Sequence, residues 1–149
     1  MASLAATSAR GDAGPTFDPL RAGAGTVWVS PVLPSTAEDL RRVGAIARPV
    51  LAAHGFEYQV TFSLISDRAA AAVMSICFDR SDAEETARAA AAHDALLRAL
   101  LENGYVPYRG TDRALEILRG ANPGFWRVAS RLKGALDPEG VLSPGRYVG

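Results

Sequence analysis

Tyr108 and Arg109, inside the segment GYVPYR (Gly104 to Arg109), place a phenol and a guanidinium side by side just after a strand-like stretch. A guanidinium stays charged at any ordinary pH and a phenol donates one hydrogen bond, so the pair suits an anionic oxygen on a substrate. A free phenol has a pKa near ~10, and two such donors favour its ionised form. A second phrase, LDPEGVLSPGRY from Leu136 to Tyr147, closes the chain in turn-forming residues. The plain alternative is that Tyr108 merely ends a strand and Arg109 pairs with a surface carboxylate. Composition leaves both readings open.

Other chemistry is sparse. His54 stands beside Gly55 at a helix end, where it caps carbonyls, and His93 lies within an Ala-rich helix. No metal-ligand spacing, no Ser/His/Asp set and no phosphate-cradling glycine motif is present, and Gly23 to Gly25 lacks the following helix a dinucleotide loop needs. Glu84 and Glu85 serve the dipole of a helix first turn.

The elements that must position the pair follow from periodicity. Residues 1–25 are rich in Ala, Gly, Ser and Pro and are expected to be flexible, with one folded domain over 26–149. Thr26 to Ser30 predicts a strand with Val27 and Val29 on one face and Trp28 on the other. Ser35 with Glu38 predicts a capping box opening a helix whose stripe is Leu40, Val43, Ala47, Val50 and Leu51, bent or tightened at Pro49 and stopped at Gly55. Tyr58, Val60, Phe62 and Leu64 alternate with polar residues as a strand. A hairpin at Ser66 to Arg68 leads to a more buried, central strand from Ala71 to Phe78. Ser81 with Glu84 predicts a second capping box, and the Ala-rich helix it opens runs to Asn103 and Gly104, with Ala87, Ala91, Leu97 and Leu101 toward the core and Leu100 nearby. A short strand at Tyr105 to Tyr108 completes the order β-α-β-β-α-β, an α+β, ferredoxin-like antiparallel sheet with two helices on one face. Helices over Asp112 to Leu118 and Pro123 to Leu136 follow, the second capped by Asn122.

Sixteen basic residues balance sixteen acidic ones without blocks of either sign, which gives no electrostatic case for nucleic acid or an anionic membrane surface. Cys77, the single cysteine, sits in an apolar run and is expected to be a buried, reduced thiol. No segment approaches the ~18 consecutive apolar residues of a membrane span, so a cytoplasmic protein is the expectation.

SPVLP, FDRSDAEETARA, GYVPYR and LKGALDPEGVLSPGRY, with their spacing, resemble the C-terminal part of the vanillyl-alcohol oxidase and p-cresol methylhydroxylase family from roughly Asp18 to the end. The terminal phrase is shared with the broader FAD-linked oxidases, whereas GYVPYR is more specific to the phenol-oxidising branch. The resemblance implies a substrate (cap) domain built of ferredoxin-like units. Tyr108 and Arg109 would hold the phenolate oxygen of a para-substituted phenol while a hydride leaves the benzylic carbon for the flavin. It also implies that Arg109 and Arg146 contact the cofactor, and that an FAD-binding domain or subunit is a partner. Thr26 stands where some members attach the flavin through His or Tyr, so FAD would be noncovalent, and Ala71 and Ala72 stand where phenol oxidases carry a His pair. On this reading the isolated chain does not turn over substrate, and its exposed apolar surface favours a homodimer. The alternatives are a 2-hydroxy-acid oxidase, in which Arg109 would grip a carboxylate, and a noncatalytic ferredoxin-like module.

Overall fold

The computed structural model describes residues 23–144, which divide along the chain into two compact units, the first ending at Tyr108 and the second beginning at Arg109. The first unit is a sheet with two helices. It runs β1 (Ala24–Val29), β2 (Val32–Pro34), α1 (Ala37–Ala53), β3 (Gln59–Leu64), β4 (Ala69–Asp79) and α2 (Ala83–Glu102). β4 is central, as its apolar run requires, pairing antiparallel with β1 and β2 along one edge and with β3 along the other.

β1 and β2 act as one interrupted strand. Val29 lies opposite Met74 and Val32 opposite Ala71, so the register continues without a shift and sets Ser30 against Val73 and Pro31 against Ala72. Pro31 has no N–H to donate, which interrupts the ladder, but its carbonyl still accepts from Ala72 N at 3.0 Å. The strand expected at Tyr105 to Tyr108 is reduced to one bridge, Pro31 opposite Pro107. Two prolines can face each other only at a non-hydrogen-bonded position, and the bonds fall on either side: Val32 N to Val106 O at 2.9 Å and Tyr108 N to Ser30 O at 3.3 Å. The spatial order is therefore 105–108, β1 with β2, β4, β3.

The two sides of the sheet differ. Val29, Leu33, Ala70, Ala72, Met74 and Ile76 are buried under the helices against Val43, Ala47 and Leu51 of α1 and Ala89, Ala92, Leu96, Leu97 and Leu100 of α2. Alanines on both sides of this layer let the helices approach closely. The expected stripe of α1 holds at Val43, Ala47 and Leu51. That of α2 is rotated: Ala87 and Ala91 are exposed and Leu101 is half-buried, while Ala89, Ala92, His93 and Leu96 face inward with Leu97 and Leu100. Alanine lies on every side of this helix, so its periodicity carries little contrast.

Both helix starts fall one residue beyond the expected cap. Thr36 Oγ1, not Ser35, accepts from the backbone of Asp39 at 3.1 Å, and the Ser35 hydroxyl instead donates to Asp67 O in the β3–β4 hairpin. Asp82, not Ser81, accepts from Glu84 N and Glu85 N at 2.9 and 3.1 Å. Gly55 and Gly104 take left-handed φ of 75° and 83° after the helix ends, where a side chain would be strained. His54 Nδ1 lies 2.9 Å from Val50 O, the expected capping contact.

Asp39 also ties the 105–108 segment to α1. Tyr105, buried, donates to Asp39 Oδ1 at 2.8 Å, and the Arg42 guanidinium lies 5.9 Å from the Tyr105 ring centre. Hydrogen bonds from Thr36 and Tyr105 lower the Asp39 pKa below its usual 3.8. Burial, then the bond to Asp39, raises the Tyr105 pKa above 10.0, and burial raises that of Tyr58. The signs set two limits. The Asp39 contribution is complete above 3.8 and is lost as pH falls through the lowered value. The tyrosine contributions are complete below 10.0 and are lost as pH rises through the raised values. Denaturant midpoints measured against pH should therefore drop at both extremes, with the alkaline drop reduced in Tyr105→Phe. An alkaline limb unchanged in that variant would refute the assignment.

The second unit holds α3 (Asp112–Ala121) and α4 (Pro123–Leu136). Thr111 caps α3, a cap the sequence reading did not name; Asn122 caps α4 with Pro123 at its first position, as the sequence predicts. Trp126 Nε1 donates to Leu118 O at 3.0 Å, joining the two helices. Asp137 organises the turn that follows: its carboxylate accepts from Val141 N and Leu142 N, each at 2.9 Å, and from Lys133 Nζ. No helix among the described residues is long and apolar enough to cross a membrane.

Candidate functional site

The sheet face turned away from the helices carries the residues with polar reach. Alternation along each strand assigns Thr26 and Trp28 of β1, Gln59, Thr61 and Ser63 of β3, and Ala71, Val73, Ser75 and Cys77 of β4 to this face, with Ser30 and Val32 continuing it. The bonds flanking the proline bridge place Val106 and Tyr108 beside Val32 and Ser30, and both side chains are exposed. One row therefore reads Tyr108, Ser30, Val73, Thr61 across the sheet. Its neighbours read Trp28, Ser75, Gln59 on one side and Val106, Val32, Ala71, Ser63 on the other.

Tyr108 is thus positioned by its backbone bond to Ser30, at the end of the first unit and 53% exposed. Arg109 follows it by one peptide bond, is exposed, and begins the second unit. Arg146 lies outside the described residues.

Thr26 is on the open face, opposite Cys77, with its Oγ1 3.8 Å from the sulfur. Cys77 is half-buried rather than buried, because its strand position points it away from the helix layer, and Sγ lies 4.0 Å from Gln59 Oε1. Ala71 and Ala72 part company in direction: both are buried, but Ala71 is on the face turned away from α1 and α2 and Ala72 is beneath them. Only the first of the two positions can present a side chain to this face. Sequence reasoning missed Ser30, Ser75, Gln59 and Thr61 as a group, since no motif joins residues that only the register brings together. The alternation of β3 was the available signal.

Residues 51–147 match the family model described as FAD linked oxidases, C-terminal domain. The chain belongs to that family. It is 34% identical over 130 residues to the 1'-carboxy-chondrochloren decarboxylase of Chondromyces crocatus, covering 87% of this chain and 24% of that protein. It is 31% identical over 127 residues to the 4-cresol dehydrogenase [hydroxylating] flavoprotein subunit of Pseudomonas putida, covering 85% and 24%. Among solved structures, p-cresol methylhydroxylase with substrate bound aligns with a TM-score of 0.76 at 30% identity, over 82% of this chain and 24% of that one. A 4-ethylphenol oxidase from Gulosibacter chungangensis, in complex with isoeugenol, aligns at 0.75 and 26% identity, over 83% and 24%. The chain therefore spans about a quarter of the length of these relatives, and it corresponds to the C-terminal domain of an FAD-linked oxidase.

Proposed function

We propose that the open sheet face is the substrate-binding wall of an FAD-dependent oxidoreductase that acts on para-substituted phenols. Tyr108 and Arg109 hold the phenolate oxygen. The observation that carries this reading is the placement of Tyr108: the bond to Ser30 fixes it on the sheet face turned away from α1 and α2, with its side chain exposed and Arg109 next in the chain. Relatives named for 4-cresol, p-cresol and 4-ethylphenol support the substrate class.

The face fits a flat aromatic cofactor as well as a phenol. Trp28 and Tyr108 offer ring surface, and Thr26, Ser75 and Gln59 offer hydrogen-bonding groups on the same face. Bound FAD supplies the two-electron acceptor; the FAD-binding part of the enzyme would hold most of it. Thr26 at the facing edge would contact it noncovalently, since a threonine hydroxyl does not make the linkage that His or Tyr makes. Arg109 and Arg146 would complement negative charge on the cofactor. The work of this chain is to keep the substrate ionised and aligned: the Arg109 charge and the Tyr108 hydroxyl lower the pKa of the bound phenol, and the phenolate pushes electron density toward the para carbon.

Ionisation of the ligand is directly visible. A para-substituted phenol with a distinct phenolate absorbance, titrated with this chain below its own pKa, should develop the phenolate band, because a cation within ~4–6 Å shifts an acid by about 1–3 units. Arg109→Ala should remove the band. A bound phenol that stays neutral would overturn the proposal, as would a band indifferent to Arg109.

A second reading has one observation in its favour, the 34% identity to a decarboxylase. In that reading the para substituent bears a carboxylate, which leaves as carbon dioxide while the electron pair of the broken bond stays on the substrate and a proton takes the place of the carboxylate. Matched phenols with and without the carboxyl group, offered to the assembled flavoenzyme, separate the two by carbon dioxide release.

A further inference from the structure

The two edges of the sheet are built differently. The edge formed by 105–108 carries Pro107 and is held by a single bridge to Pro31. Proline withholds an N–H, one of the ways in which proteins keep an edge from pairing further. β3 forms the other edge and, among the described residues, pairs with β4 alone. From Tyr58 to Ser66 it has no proline, glycine or charged residue. Phe62, Leu64 and Ile65 are 38%, 76% and 61% exposed. An edge without these safeguards, with apolar side chains in solvent, is a template for strand addition.

The register shows which backbone groups this edge offers. Ile65 N donates to Ala69 O at 2.9 Å, and Ala72, which faces Phe62, donates its N–H the other way, to Pro31 O at 3.0 Å. Hydrogen-bonded and non-hydrogen-bonded pairs alternate along an antiparallel ladder. Gln59, Thr61 and Ser63 therefore bond to β4, and the N–H and C=O of Val60, Phe62 and Leu64 point away from it.

We propose that the free edge of β3 joins a second copy of this chain, antiparallel about a two-fold axis at Phe62. Only that centre pairs the outward-facing residues among themselves: Phe62 with its own counterpart, and Val60 of each copy with Leu64 of the other. Their apolar side chains meet on one side of the joined sheet, while Thr61 meets Ser63 on the other. No charge is buried along the paired strand. The strand is thus complementary to itself, which favours a second copy over an unrelated peptide. The axis stands perpendicular to the sheet, so both helix layers stay on one side and the two faces that bear Tyr108 share the other. Pairing over six residues a side reaches only the lower end of the ~1,200–2,000 Å² that stable interfaces bury, so the dimer is weak and depends on concentration. The proline-bearing far edges stop growth at two copies.

Sedimentation of the chain should show a monomer–dimer equilibrium. Leu64→Lys, at a site already exposed, should raise its dissociation constant by more than about 10-fold with circular dichroism unchanged. Amide exchange read by NMR needs no variant: it should slow at Val60, Phe62 and Leu64 as concentration rises, whereas Thr61 and Ser63 are protected by β4 throughout. With Cys77→Ser removing the native thiol, a short bismaleimide should join Phe62→Cys to its copy, because paired α-carbons lie ~5.5 Å apart. Val60→Cys, at about 14 Å from its own counterpart, should stay unjoined. A monomer at every concentration, with the three amides exchanging freely, would sink the proposal. So would a dimer indifferent to Leu64→Lys, which must join through another surface. Equal joining of the two cysteine variants would overturn the axis at Phe62, and growth into fibres would overturn the closed pair.

Discussion

Arg109→Ala in the assembled flavoenzyme should lower kcat/KM for a para-substituted phenol by about 10²- to 10³-fold, the usual cost of deleting one donor aimed at developing charge. Loss of the guanidinium leaves the phenolate with the Tyr108 hydroxyl alone, and the neutral phenol then predominates at neutral pH. The effect should recede as pH approaches ~10, where the substrate ionises without help. That recovery separates a role in ionisation from a role in folding, which added hydroxide would not repair. Arg109→Lys should restore charge but only part of the rate, because an ammonium lacks the planar fork of donors. Tyr108→Phe should be milder, about 10- to 100-fold, consistent with one hydrogen bond to a charged group at ~1.5–3 kcal/mol. Steady-state rates across pH for the three variants decide the matter. A pH-independent change of less than twofold in Arg109→Ala would place that residue at a surface ion pair instead.

Met74→Ala should have the largest effect on folding, about 2–5 kcal/mol. Met74 is fully buried at the middle of β4, opposite Val29 on one side and Val60 on the other, beneath the helices. Truncation removes the thioether from the centre of the layer, and the flanking strands cannot close the gap without breaking their pairing with β4. Native domains are stable by only ~5–15 kcal/mol, so a large share of the total is at stake. The urea midpoint should fall with the slope of the transition unchanged. Ala91→Ser is the control: exposed on α2, it should shift stability by no more than ~0.5 kcal/mol. Comparable losses in the two variants would mean that the helix buries a different face.

The exposed apolar residues fit a domain that meets further protein. Trp28, Leu64, Ile65 and Val106 of the first unit, and Phe125, Val128, Leu132 and Leu136 of the second, all present most of their surface to solvent.

Sequence alone determined most of the element order, because its signals are local; it did not show β2 or the reduction of 105–108 to a single bridge. The alternation in Val27, Trp28 and Val29 and in Val60, Phe62 and Leu64 fixes faces of strands without reference to anything distant. Gly55 and Gly104 end helices because only glycine enters the left-handed region freely. GYVPYR and the terminal LDPEGVLSPGRY marked the family. What tertiary structure decided is everything that depends on a second segment. Thr36 rather than Ser35 caps α1 because the Ser35 hydroxyl is engaged by the hairpin at Asp67. The buried face of α2 is set by where the sheet lies, since its alanines provide no hydrophobic contrast. Ala71 and Ala72 look alike in the sequence and both are buried, yet the pleat of β4 turns one away from α1 and α2 and the other toward them. The candidate wall itself is of this kind: Tyr108, Ser30, Val73 and Thr61 come from four separate segments, and only antiparallel register draws them into one row.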